Sequence, residues 1–220
     1  MKLKVCGMKY IENIQQVAAL QPDYLGFIFY EKSKRNFEGI IPELPKEIKK
    51  AGVFVNEIPE IVVSLVEEYG LKMVQLHGDE SPEYILRLKE IFKESIAEKH
   101  QRSKYKMPEI VKVFGVKDDF NFGVLKQYES LVDYFLFDTK GKERGGNGVT
   151  FDWSVLKNYN STKPFFLSGG IGLDEITAIK ELQKSDLPIY ALDVNSKFET
   201  EVGLKSVKSI QKFKKEIYGN

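Results

Sequence analysis

The sequence alternates between short apolar runs and longer segments with helical periodicity. The short runs are rich in β-branched and aromatic residues, and they are continuously apolar, as expected for parallel strands covered on both faces. They span Leu3–Cys6, Tyr24–Phe29, Gly52–Val55, Met73–His77, Ile110–Gly115, Tyr134–Asp138, Phe165–Ser168 and Ile189–Val194. The alternation predicts eight strand–helix units, which can form a closed barrel or a doubly wound sheet. Glycine-rich loops after the late strands favour the (βα)8 TIM barrel, an α/β fold.

Composition limits the class of protein further. The length of 220 residues suits a single catalytic domain that covers residues 1–220. Lys and Arg number 33 and Asp and Glu 32, a balance that predicts no nucleic-acid surface and no anionic membrane surface. No apolar run reaches the ~18 residues of a membrane span, and the amino terminus has no signal-peptide pattern. Cys6 is the only cysteine, which favours the reducing cytoplasm.

The connecting segments differ in how clearly they predict helices. Phe122, Leu125 and Tyr128 indicate a fifth helix, whereas the sixth, beginning near Phe151, is weakly periodic. Glu94–Pro108 is highly charged and predicts a solvated loop or helix extension, with a partner contact as the alternative.

A second irregular segment follows the sixth predicted strand. Thr139–Thr150 contains the glycine-rich stretch Gly145–Gly148. Long loops in compact domains often act as lids or binding loops, so the segment predicts either a lid or simple flexibility.

Two reactive side chains end predicted strands, where barrel active sites lie. Cys6 ends the first strand, and it is either a small buried hydrophobe or a base or nucleophile. Asp138 ends the sixth strand, and it is either a cap for the following loop or a catalytic acid. The two histidines, His77 and His100, lie far from Cys6 in sequence, so no metal site is predicted.

The loops after the last two strands predict a phosphate site. Gly169 and Gly170 follow strand seven and let backbone N–H groups approach an anion. Asn195 and Ser196 follow strand eight, and barrels often bind phosphate between these two loops. A tight turn is the alternative.

Two further candidates follow strands two and four. Arg35 ends the cluster Lys32–Arg35, which is either a solvated face or a site for a ligand carboxylate. His77 ends strand four and is either a structural or a substrate-binding histidine, sharing its inward face with Gln75.

A series of short stretches, in order along nearly the whole chain, resembles a known family. They are Lys4–Gly7, Gly26–Tyr30, Lys32–Arg35, Gly52–Asn56, Val74–Gly78, Phe137–Lys140, Gly145–Gly148, Phe151–Trp153, Leu167–Gly170 and Leu192–Val194. The ordered set resembles the phosphoribosylanthranilate isomerases of tryptophan biosynthesis. That resemblance implies rearrangement of N-(5-phosphoribosyl)anthranilate, a small phosphorylated substrate, to the aminoketose, with no cofactor. Since the family includes monomers and dimers, either a monomer or a homodimer is implied.

The resemblance also assigns roles to the candidates. Asp138 matches the general acid that opens the furanose ring, and Cys6 matches the general base at C2′. Arg35 matches the residue that holds the anthranilate carboxylate. Gly169, Gly170, Asn195 and Ser196 fall on the phosphate loops, and His77 matches a motif residue without a defined role. The chain departs from the family after strand eight, where Lys197 replaces a glycine and is a candidate phosphate contact.

Three rivals fit parts of the pattern. A sugar-phosphate epimerase would need metal-ligand histidines, and only His77 lies near a strand end. An indole-glycerol-phosphate synthase would need lysine and glutamate at strand ends that here hold Cys6, His77 and Asp138. A barrel that binds a phosphorylated ligand without catalysis would need neither proton-transfer group.

Overall fold

Eight parallel strands close into a barrel in the computed structural model, which describes residues 1–98, 106–117, 119–139 and 152–219. Closure is made by β1, which pairs with β2 on one side and with β8 on the other. The strands are β1 (Lys2–Val5), β2 (Tyr24–Phe29), β3 (Lys49–Phe54), β4 (Met73–Leu76), β5 (Glu109–Val116), β6 (Tyr134–Thr139), β7 (Phe165–Leu167) and β8 (Ile189–Val194). The predicted barrel is therefore confirmed, and a doubly wound sheet is excluded.

Five α-helices cover the outside of the barrel in the described ranges. They are α1 (Ile11–Ala18), α2 (Pro59–Tyr69), α3 (Pro82–Glu98), α4 (Ile176–Leu182) and α5 (Val207–Tyr218). Local chemistry sets their ends: Pro59 occupies the first turn of α2, and Gly70 closes it in the left-handed conformation at φ 62°. The Ser81 hydroxyl accepts from the N–H of Tyr84 at the start of α3.

The expectation of one α-helix after every strand is wrong at three places. No helix joins β2 to β3, because the segment contains Pro42 and Pro45 and turns Phe37 into the core instead. The fifth helix is a 3₁₀ helix, Phe122–Gln127, which includes Gly123. The sixth is a 3₁₀ helix, Trp153–Asn158. Each is six residues long and begins after one capping side chain, Asn121 or Asp152.

The two irregular segments are described only in part. The helix extension predicted within Glu94–Pro108 is seen as far as Glu98, where α3 ends. Residues 99–105, the glycine-rich stretch Gly145–Gly148 and Phe151 lie outside the described residues. Whether the loop after β6 is a lid stays a prediction.

After β8 the chain adds a 3₁₀ turn, Ser196–Phe198, and a short antiparallel hairpin of β9 (Glu199–Glu201) and β10 (Leu204–Lys205). Phe198 anchors this addition by packing against Phe213 of α5, with ring centroids 5.1 Å apart. The hairpin therefore lies fixed at the carboxyl end of the barrel.

A packed core fills the inside of the barrel around Tyr24, Met73, Leu136 and Phe166, all of which are buried. A larger apolar layer lies between strands and helices. In the described part of the chain, no helix combines the length and apolar character needed to span a membrane.

Candidate active site

One pocket at the carboxyl ends of the strands brings together all the predicted site residues. Its walls include Cys6, Arg35, His77, Asp138, Gly169, Gly170, Asn195 and Ser196. These residues come from six different strands and the loops that follow them, so only the closed barrel places them side by side. Among the described residues, no three His, Cys, Asp or Glu side chains are grouped so that they could hold a metal ion.

Cys6 follows β1 directly and is fixed by its neighbours. Its N–H donates to the carbonyl of Val194 at 2.9 Å, which extends the β1–β8 ladder by one residue. Gly26 of β2 leaves room for the thiol, since a Cβ at that position would lie 2.8 Å from Sγ. The side chain is 4% exposed. Burial is the largest influence and raises the pKa of the thiol, while the positive charges of Lys4 and Lys205 lower it.

Lys4 is a residue that the sequence analysis did not select. It is fully buried, and it lies two residues before Cys6 on the same inward face of β1. Its Nζ donates to Oδ2 of Asp193 at 2.9 Å and to Oε1 of Gln75 at 2.7 Å. Although burial opposes charging, the carboxylate of Asp193 keeps the pKa of Lys4 above its ordinary value. A lysine inside an otherwise apolar strand was the available signal.

Asp193 has one carboxylate oxygen left over. Oδ2 is paired with Lys4, but the buried Oδ1 has no hydrogen-bond partner among the residues that the structure describes. Because Asp193 lines the pocket, this oxygen can accept a hydrogen bond from a hydroxyl or an N–H of a ligand.

Asp138 lies beside His77 at the opposite wall. Oδ2 of Asp138 is 3.4 Å from Nε2 of His77, and Oδ1 accepts from the N–H of Thr139 at 2.9 Å. On the other side of the ring, Nδ1 of His77 lies 3.4 Å from Nε2 of Gln75. Asp138 therefore has a histidine N–H within reach if the ring carries its proton on Nε2.

The orientation of the Gln75 amide determines which ring nitrogen of His77 carries the hydrogen. Lysine can only donate, so the atom of Gln75 that faces Lys4 is the carbonyl oxygen. The amide nitrogen then faces Nδ1 of His77 as a donor, and the neutral ring must carry its hydrogen on Nε2. The nitrogen that carries this hydrogen is the one that lies 3.4 Å from Oδ2 of Asp138.

Arg35 has a partner that the sequence did not indicate. It donates from Nε to Oε1 of Glu199 at 2.8 Å and from Nη2 to Oε2 at 2.6 Å. Lys205 donates to the same Glu199 and to Oδ1 of Asn195, each at 2.6 Å. The guanidinium has five N–H donors, so this pairing occupies one edge and leaves the rest at the pocket wall.

The loop after β7 has a backbone conformation that requires glycine. Gly169 and Gly170 have φ of 88° and 65°, which is the left-handed region that favours glycine. A Cβ on Gly169 would lie 2.5 Å from the backbone nitrogen of Thr139 and 3.0 Å from Oδ1 of Asp138. Lys197 in the neighbouring loop, a candidate phosphate contact from the sequence, also lines the pocket.

Comparison with known proteins identifies the family. The model described as N-(5'phosphoribosyl)anthranilate (PRA) isomerase matches residues 3–216. The N-(5'-phosphoribosyl)anthranilate isomerase of Parabacteroides distasonis is 39% identical, and the alignment covers 99% of this chain and 93% of that relative. A crystal structure of monomers generated from the dimeric isomerase of Thermotoga maritima aligns over 100% of both chains, with a TM-score of 0.73 and 27% identity.

A further solved structure contains a ligand. It is a phosphoribosylanthranilate isomerase in complex with reduced 1-(o-carboxyphenylamino)-1-deoxyribulose 5-phosphate, with a TM-score of 0.76, 27% identity and 100% coverage of both chains. The fold, the full-length family match and the pocket thus agree, and this chain belongs to the family of N-(5'-phosphoribosyl)anthranilate isomerases.

Proposed function

We propose that Cys6 and Asp138 are the proton-transfer groups with which this chain isomerises its substrate. The reaction converts N-(5-phosphoribosyl)anthranilate to 1-(2-carboxyphenylamino)-1-deoxyribulose 5-phosphate in tryptophan biosynthesis. The observation that supports these roles is the placement of one thiol directly after β1 and one carboxyl on β6, well apart around the same pocket. An acid and a base on separate walls can act on two different atoms of one small sugar.

Asp138 acts first, as the general acid. In its protonated form it transfers a proton to the furanose ring oxygen, and the bond from that oxygen to C1′ breaks. The anthranilate nitrogen supplies the electron pair that forms the Schiff base. The N–H of His77 then faces the carboxylate that Asp138 has become, which stabilises the new negative charge.

Cys6 acts second, as the general base. Its thiolate takes the proton from C2′, and the electrons of that C–H bond move towards the positively charged nitrogen to give an enolamine. The enolamine gains a proton at C1′ and loses one from the C2′ hydroxyl to give the ketone. Because the substrate's own nitrogen accepts the electrons, the reaction needs no cofactor.

The remaining pocket residues bind the two ends of the substrate. The guanidinium of Arg35 pairs with the anthranilate carboxylate through the N–H groups that Glu199 does not use. Gly169, Gly170, Asn195 and Ser196 provide the phosphate site, where the ammonium of Lys197 adds a positive charge.

Between these ends, Oδ1 of Asp193 accepts a hydrogen bond from a ribose hydroxyl. We further propose that residues 1–220 act as a single domain in the cytoplasm, as a monomer or a homodimer, and bind neither nucleic acid nor membrane.

The test is turnover by the purified protein. Wild-type protein mixed with phosphoribosylanthranilate should remove its anthranilate fluorescence, and no turnover at micromolar enzyme would overturn the assignment. Cys6→Ala and Asp138→Asn should each lower kcat by at least about a hundredfold, the usual contribution of a general acid or base. Leu86→Ala, on the exposed face of α3, is the control and should leave kcat unchanged. Near wild-type kcat in either active-site variant would refute that residue's role.

A further inference from the structure

We propose that Lys4 is a positioning residue that stabilises the thiolate of Cys6 and so sets the pH range in which the base acts. This inference rests on the proposed role of Cys6 as the general base. Lys4 lies on β1, and Cys6 follows two residues later where the strand's hydrogen bonding to β8 continues, so both side chains point into the barrel.

The geometry of the ammonium group supports a third hydrogen bond. Nζ of Lys4 has three hydrogens, of which Asp193 and Gln75 accept one each. Two residues further along the same inward face, the Cys6 thiol is coupled to this ammonium, which lowers the pKa of the thiol as the thiol raises that of Lys4. A fully buried ammonium with an unused hydrogen is costly, so the interaction with Cys6 is favoured from both sides.

The charges around Cys6 also favour its thiolate form. Three cations face it: Lys4 from its own strand, Lys205 from β10 and Arg35 from the loop after β2. Asp193 of β8 is the anion that faces it, while Glu199 neutralises Arg35 and Lys205 together. Three cations thus stand against two carboxylates, and a thiolate at Cys6 completes the balance.

Lys4 differs from the other two cations in its hydrogen-bond partners. Arg35 and Lys205 are both hydrogen-bonded to the carboxylate of Glu199 on the hairpin. Lys4 is bonded to side chains of the pocket wall on β4 and β8. Its ammonium therefore acts on Cys6 from beneath the substrate site, where no solvent screens the attraction.

A spectroscopic titration tests the inference without substrate. Thiolate absorbs in the ultraviolet, and because Cys6 is the only cysteine, subtracting the titration of the matched Cys6→Ala protein isolates its signal. Lys4→Met should raise the midpoint by about one pH unit or more, so that the thiolate fraction at a given pH below the midpoint falls about tenfold. The acidic limb of the pH profile of kcat/KM should move in the same direction.

The double variant Lys4→Met/Asp193→Asn separates direct stabilisation from simple charge pairing. It leaves no unpaired buried carboxylate, so it also serves if Lys4→Met alone fails to fold. A midpoint that stays raised in the double variant supports a direct effect of Lys4 on the thiol. A midpoint that returns to the wild-type value, or that never moves in Lys4→Met, would overturn the inference.

Different measurements test the isomerase activity and the effect of Lys4 on Cys6. Absence of turnover in the wild type would remove the function but not the thiol titration. Normal turnover with an unshifted titration would remove the role of Lys4 and leave the isomerase assignment standing.

Discussion

Arg35 and Glu199 form a two-point ion pair across the carboxyl end of the barrel, with N–O distances of 2.8 and 2.6 Å. The pair joins the loop after β2 to the hairpin after β8, and Lys205 adds a third contact to the same carboxylate. Glu199 therefore fixes the direction of the guanidinium that we propose to bind the anthranilate carboxylate.

Glu199→Gln should raise KM for phosphoribosylanthranilate by about tenfold, because a charge-assisted pair contributes roughly 1.5–3 kcal/mol and its loss frees Arg35 to rotate. The effect on kcat should be much smaller, since Glu199 is proposed to act on substrate binding through Arg35. Steady-state kinetics measure both constants. Glu201→Gln, exposed on the same hairpin, is the matched control and should behave like wild type. An unchanged KM in Glu199→Gln would refute the positioning role.

The same pair should make stability depend on acid pH. Burial raises the pKa of Glu199, but hydrogen bonds from Arg35 and Lys205 outweigh burial and hold it below its ordinary value. The folded protein then binds this proton less readily than the unfolded chain does. The stabilisation is complete above the unfolded glutamate pKa of about 4.3 and is lost as pH falls through the lower folded value.

Thermal melts measured from neutral to acid pH check this expectation. The Tm of wild type should exceed that of Glu199→Gln near neutrality, and the difference should narrow below about pH 4.3. Two Tm curves that stay parallel over the whole range would contradict the assignment of the lowered pKa to Glu199.

His77 should contribute to the acid step through its N–H. His77→Leu should lower kcat by about ten- to hundredfold, at the weaker end of what a proton-transfer group contributes, because Asp138 loses the donor beside it. Gln75→Leu should cause a smaller decrease in kcat, because the amide that keeps the hydrogen of His77 on Nε2 is then lost. Comparison of kcat with KM checks this: a rise in KM alone would place His77 in substrate binding instead.

The elements marked by a local apolar pattern could be predicted from the sequence. All eight strands overlap the apolar runs that predicted them. The fifth and sixth connections were misjudged because a few apolar residues at helical spacing do not distinguish an α-helix from a 3₁₀ turn.

Site residues at the ends of strands could be predicted from the sequence. Contacts between residues that are far apart in sequence could not. Cys6, Asp138 and Gly169 stand at strand ends, which the barrel rule marks in advance. The partner of Arg35 is 164 residues away in sequence, and nothing local in Lys32–Arg35 indicates it. Lys4 was missed for another reason: a lysine in a strand is usually at an edge, and only closure of the barrel buries it.

Gly169→Ala should damage both stability and activity, and a second glycine allows the two causes to be separated. A Cβ on Gly169 would meet the backbone of Thr139 and the carboxylate of Asp138, in addition to the strain of a positive φ of 88°. Gly219 has a similar φ of 75°, but nothing lies within 4 Å of the added Cβ. Gly219→Ala should therefore cost only about 1–2 kcal/mol of unfolding free energy, the strain of the left-handed conformation, with kcat unchanged.

Gly169→Ala should cost more than that and should also lower kcat at temperatures where the variant is folded, because the clash displaces Asp138. Denaturant unfolding and steady-state kinetics on both variants measure the two effects. If Gly169→Ala and Gly219→Ala lost the same stability and both kept full kcat, the close approach of the β7 loop to Asp138 would have no part in placing the acid.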